Sequence, residues 1–97
     1  MVAYWVARSK VNDSEQYKKY GALATPIIAK FGGKFLARGG KFKILEGPEK
    51  FQRFVVIEFP SIEMAVSCHE SPEYLEAATH RKKDDASELE VFIVEGV

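Results

Sequence analysis

Apolar and polar positions divide the chain into segments of two different periods. Val2, Tyr4, Trp5 and Val6 lead into polar Arg8, Ser9 and Lys10, and this run of β-formers predicts a strand over residues 2–10. Asn12-Asp13-Ser14 then supplies a helix start, with Asp13 and Gln16, or equally Asn12 and Glu15, at capping-box spacing. From there Tyr17, Tyr20, Ala24, Ile27, Ile28 and Phe31 recur at helical spacing, so one helix face is apolar. Pro26 lies inside that pattern without a backbone donor, and a bend or break near Thr25 is expected. Gly32-Gly33 ends the helix.

Lys34–Arg38 reads as a second strand, and residues 42–46 are extended again. Between them, Gly39-Gly40 fits either a two-residue hairpin turn or a bulge that bends one long edge strand, with the bend preferred. Residues 53–59, Arg-Phe-Val-Val-Ile-Glu-Phe, form the strongest strand signal, closed by Pro60. Ser61 caps a helix carrying Ile62, Ala65, Val66 and His69 on one face. Ser71-Pro72 restarts it, with Tyr74, Leu75, Ala78 and Arg81 sharing a face, and residues 89–95 are the last strand. Strand, helix, strand, strand, helix, strand predicts one α+β domain over residues 1–97. Its fold is ferredoxin-like, a βαββαβ antiparallel sheet with both helices on one face.

Strand parity then bears on assembly. Phe54 and Val56 oppose Val55, Ile57 and Phe59; Tyr4 and Val6 oppose Ala3, Trp5 and Ala7; Phe92 and Val94 oppose Leu89, Val91 and Ile93. Both sheet faces are apolar, whereas a solvated antiparallel face alternates with polar residues. Two helices cover one face, so the expectation is a homodimer packed sheet to sheet. The competing expectation is that residues 39–50 fold over the second face.

Composition narrows the function classes. Fourteen basic and fourteen acidic residues leave the 97-residue chain with no net charge, which argues against nucleic-acid or anionic-membrane binding. No apolar run reaches the roughly 18 residues of a membrane span. The first residues lack the pattern of a signal peptide, and one cysteine, Cys68, makes no internal disulfide, so cytoplasmic residence is expected.

Three stretches carry a family resemblance. They are Phe31–Gly40 (Phe-Gly-Gly-Lys-Phe-Leu-Ala-Arg-Gly-Gly) with Leu45-Glu46-Gly47; Val56–Ser61; and Ser71-Pro72-Glu73-Tyr74 with Arg81, closing on Val94-Glu95-Gly96. In these the chain resembles the family called domain of unknown function 1330, short and mostly bacterial proteins. The resemblance implies a dimeric α+β barrel, a fold shared with small cofactor-independent monooxygenases, chlorite dismutase relatives and muconolactone isomerase. It implies no reaction of its own. The family often places an aromatic pair shortly before Ser-Pro-Glu-Tyr. Cys68 and His69 stand there instead, which makes a pocket at that place smaller and more polar.

The candidate chemistry lies in a few side chains. His69, at the end of an apolar helix face, could serve as a base or hold an anion; the bland alternative is a half-buried imidazole bonded to backbone. Arg38, beside the double glycine, and Arg81, on the face of Tyr74, could clamp a carboxylate; alternatively Arg81 snorkels at the core rim and Arg38 pairs with Glu46 or Glu58. Glu46 or Glu58 could take a proton if desolvated, and more often meets a cross-strand cation. Tyr17, Tyr20 and Tyr74 offer phenol donors if they are not simply core, and Trp5 is core or interface. Cys68, His69 and His80 lack metal-ligand spacing, so neither a metal nor a cofactor is expected. A redox role for Cys68 would need a lowered thiol pKa and exposure.

The leading expectation is a small organic ligand, neutral or anionic, between sheet and helices. It would be contacted by Arg38, His69, Arg81, Tyr17 and Tyr74, with cofactor-free oxygenation or isomerisation as the fold analogy. The alternative is a homodimeric interaction module with a solid core.

Overall fold

The chain folds as β1 (Ala3–Val11), α1 (Ser14–Lys30), β2 (Lys34–Arg38), β3 (Arg53–Phe59), α2 (Ile62–Glu70), α3 (Pro72–Lys82) and β4 (Ser87–Glu95), in a computed structural model that describes residues 1–97. The strands lie in the order β2-β3-β1-β4, every neighbouring pair antiparallel. The longest strands, β1 and β4, pair along their whole length. This is the predicted α+β arrangement.

Local chemistry sets the helix ends. Asp13 caps α1, its carboxylate accepting from the backbone N–H groups of Glu15 and Gln16. Gly32, at a φ of +86°, turns the chain out of α1, and the Gly33 N–H bonds back to the Ile28 carbonyl. Ser61 caps α2, and Ser71 both ends α2 and caps α3, with Pro72 at the first helical position.

Two expectations are corrected. The helix runs unbroken through Pro26. Proline removes one donor at an exposed position, while Ala24 and Ile28 on the opposite side are buried and hold the helix on the sheet. Residues 42–46 are not a strand, and Gly39-Gly40 makes neither a hairpin nor a bent continuation. Extended propensity becomes a strand where a neighbour completes the ladder, and no strand pairs with this segment. Residues 39–52 instead form an irregular connection, pinned at its end where the Gln52 N–H reaches the Ser9 carbonyl. The irregularity in β2 comes earlier, as a register shift between Phe35 and Ala37.

The core lies between the helices and one sheet face. Trp5, Ala7, Ile57 and Phe59 from the strands meet Tyr20, Ala24, Ile28, Ala65, Cys68, Tyr74 and Ala78 from the helices in one cluster. The other face has no such cover. Phe92 is 59% exposed and Val94 47%, and the molecule is a slab of 33 × 33 × 17 Å. A 17 Å thickness is that of one helix layer on one sheet. The 39–52 connection shields a corner, where the Phe42 ring meets Phe54 at 4.8 Å, and leaves the rest open.

Candidate functional site

A cleft opens between α1 and the β2–β3–β1 part of the sheet. It has about 40 Å³ of free volume, room for a few waters. Trp5, Ala7, Val55 and Ile57 form its floor and Tyr17, Tyr20, Gly21, Ala24 and Ile28 its helical wall, with Phe35, Arg38 and Arg53 at the β2–β3 end. Its charged lining residues are both arginines, and no acid, histidine or cysteine lines it.

The two arginines arrive by different routes. Arg53 opens β3 on the same parity as Val55, Ile57 and Phe59, so the pleat turns it toward the helices. Its guanidinium carbon lies 5.5 Å from the Tyr17 ring centroid, and its Nε is buried without a hydrogen-bond partner. Arg38 depends on the irregularity in β2. Phe35 pairs with Ile57, but after the shift Arg38 pairs with Val55, so both face the cleft although they are three positions apart. Arg38 lies 4.4 Å over the Phe35 ring, and its Nη2 donates to Thr25 Oγ1 at 2.7 Å. The Thr25 hydroxyl in turn donates to the Gly21 carbonyl at 2.7 Å. The ion pairs of the molecule, Arg8–Glu90, Lys30–Glu73 and Lys50–Glu88, use other cations. Glu46 is exposed in the connection, and Glu58 lies on the bare sheet face opposite Tyr4 and Lys34; neither pairs with Arg38.

Tyr17 lines the cleft, its hydroxyl 3.3 Å from Ser9 Oγ. Tyr20 lines it too and connects it to the interior, since its hydroxyl is 2.7 Å from that of fully buried Tyr74. Burial, reinforced by Tyr74, holds the Tyr20 phenol well above the usual range, so it stays protonated. Arg81, 6% exposed, stacks 5.3 Å over the Tyr20 ring with its Nε buried and unpartnered. His69 packs at 5.3 Å from both Trp5 and Tyr74 and borders a separate hollow with Val91, Phe92 and Ile93. Burial and, after it, the charges of Arg81 and Lys82 lower the His69 pKa. Of the five residues singled out from the sequence, the cleft therefore brings together Arg38 and Tyr17. Tyr74 and Arg81 reach it through Tyr20, and His69 faces another side.

Sequence reasoning missed Arg53, Thr25 and Gly21. For Arg53 the signal was present: the parity that turns Val55 and Ile57 inward applies equally to residue 53. Cys68 is fully buried, and burial followed by the nearby Glu73 pushes its thiol up to about 11, which suits packing rather than redox chemistry.

Solved structures with this fold span nearly the whole chain. A protein of unknown function from Rhodopseudomonas palustris is 22% identical with a TM-score of 0.79, covering 99% of this chain and 82% of that one. A dimeric ferredoxin-like protein of unknown function from Jannaschia sp. CCS1 is 12% identical, TM-score 0.73, covering 99% and 100%. SnoaB, a cofactor-independent oxygenase from Streptomyces nogalater, is 17% identical, TM-score 0.66, covering 99% and 93%. At these identities the likeness is one of fold, and it confirms the ferredoxin-like architecture. No curated protein matches the chain. Residues 2–97 match the family model "Domain of unknown function (DUF1330)", and the chain belongs to that family.

Proposed function

We propose that the chain works as a homodimer in which each protomer holds a small organic anion in the cleft between α1 and the sheet. The observation that carries the ligand reading is that two guanidinium groups, Arg38 and Arg53, line one cleft from which carboxylates are absent. Arg53 is half-buried with its Nε unpartnered, and exposed Arg38 spends one donor on Thr25, so the remaining donors of both forks are left for a ligand, and a guanidinium fork matches a carboxylate. The aromatic and aliphatic lining suits an apolar body behind that charge. With no imidazole, carboxylate or thiol in the lining, no group of ordinary basicity is placed to take a proton. The reading is therefore binding rather than acid–base catalysis, and the cofactor-independent oxygenase SnoaB contributes an analogy of fold alone.

The bare sheet face supports the dimer. It presents Val6, Val56, Phe92 and Val94 in register, and a 33 × 33 Å face is wide enough for the roughly 800 Å² per partner of a stable interface. Structures of similar fold are described as dimeric.

Thermal shift with a panel of small carboxylates tests the ligand reading. A rise in melting temperature is expected for the wild type. In Arg38→Ala and Arg53→Ala, affinity falls on the order of ten-fold or more, since a hydrogen bond to a charged group is worth about 1.5–3 kcal/mol. The second reading, a homodimeric interaction module with a packed core, draws on the small free volume of about 40 Å³. A folded dimer that responds to no member of the panel would favour it and end the first.

A further inference from the structure

Gly39 and Gly40 follow β2 side by side, and their surroundings differ. A Cβ at Gly40 would meet nothing within 4 Å, whereas one at Gly39 would overlap Nη1 of Arg53 and lie 3.1 Å from its Cζ. Gly39 has a φ of +66°, and its N–H bonds to the Phe54 carbonyl at 3.1 Å, which sets it beside the start of β3. That φ alone does not call for glycine, since Asn and Asp also adopt it. The Arg53 head group does, because it lies on the Gly39 backbone where any side chain would begin. Arg53 takes part in none of the ion pairs, and its Nε is buried without a partner. Its place in the cleft therefore rests on packing, against Gly39 and near the Tyr17 ring.

We infer that Gly39 is a positioning residue for the anion site: by lacking a side chain it seats the Arg53 guanidinium in the cleft that Arg38 also lines, where the two serve an acetate-sized carboxylate. This rests on the cleft being a binding site for anions. The size follows from the free volume of about 40 Å³, room for a few waters. A side chain at residue 39 would displace the end of a flexible arginine, so the fold absorbs the change and the site does not.

Acetate titrated into the full chain and followed by amide chemical-shift changes tests this, in the wild type, Gly39→Asn, Arg53→Ala, the double variant and Gly40→Ala. Because Asn tolerates a positive φ, Gly39→Asn is expected to fold, with a melting temperature within about 4–8 °C of the wild type. It lowers acetate affinity on the order of ten-fold, as Arg53→Ala does, and the double variant binds no more weakly than Arg53→Ala alone, since the glycine acts through that side chain. Gly40→Ala leaves the affinity unchanged. Undiminished affinity in Gly39→Asn, or losses that add in the double variant, would overturn the inference and leave the anion site standing. If Gly39→Asn does not fold, recovery of folding in the double variant supports the seat, and failure there too places the requirement in the backbone and overturns it. If acetate does not bind the wild type the inference falls, and the anion site falls with it when no other small carboxylate binds either.

Discussion

The two faces of the sheet come from the same strands and both carry large apolar side chains, the bare one together with Arg8, Glu58, Glu88 and Glu90, and they meet different fates. On one, Trp5, Ile57 and Phe59 are covered by α1, α2 and α3 and join the core. On the other, Val6, Val56, Phe92 and Val94 lie at neighbouring register positions and no element of the chain closes over them. Hydrophobicity alone therefore does not mark a core position; what covers the residue decides. The covered face also holds the cleft, because helices lying on a twisted sheet leave a gap where short side chains, Gly21 and Ala24, meet strand ends. The bare face carries two shallow hollows, one beside the 39–52 connection at Phe42, Leu45 and Phe54, and one over Val6, Val56 and Phe92.

The contrast is most strongly tested on the covered side. Trp5 is 2% exposed and packs on Phe59, His69 and Tyr74. Trp5→Ala is expected to cost about 3–5 kcal/mol of folding stability, as lost transfer energy plus a cavity that the neighbouring rings cannot fill. Denaturant unfolding measures this. A cost below about 1 kcal/mol would mean that the covered face is not the core.

Phe92 tests the bare side. At 59% exposure it contributes little to an isolated subunit, and Phe92→Ser should change subunit stability by about 0.5 kcal/mol or less. In a sheet-to-sheet dimer the same change removes about 1.5–3 kcal/mol of apolar burial from each copy, so sedimentation velocity should show a shift from dimer to monomer. A wild type that sediments as a monomer at micromolar concentration, or a Phe92→Ser dimer as tight as the wild type, would refute the shared face.

Much of this contrast is legible in the sequence. Alternation in residues 3–7, 53–59 and 89–95 assigns every large side chain to the face it occupies, because a strand has one period and no freedom within it. The cleft is less legible. Arg38 faces it through a register shift at Leu36, and nothing in Lys-Phe-Leu-Ala-Arg marks where a strand gains a residue. Residues 42–46 have strand-like composition without a partner, which composition does not reveal. Helical spacing turns His69 and Arg81 toward the interior, but a helix face does not say on which side of Trp5 or Tyr20 a residue comes to rest.

The smallest expected effect lies where the two faces meet, at the β4 edge. His69 packs on Trp5 and Tyr74 of the covered side and borders Phe92, which belongs to the bare one. Burial lowers its pKa below the ordinary 6.5, and Arg81 and Lys82 of α3 add to this against the weaker opposing charge of Glu70. The folded state therefore binds fewer protons than the unfolded chain below about pH 6.5, and stability falls as pH drops from there toward the lowered pKa. His69→Asn, which cannot be protonated, removes that contribution. Unfolding curves from about pH 8 to about pH 5 should show the wild type losing stability more steeply than the variant below about pH 6.5, with the two running parallel above it. Parallel curves over the whole range would mean that the imidazole is as well hydrated in the folded chain as in the unfolded one. In that case the seam between the covered and bare faces at β4 is open to water rather than packed.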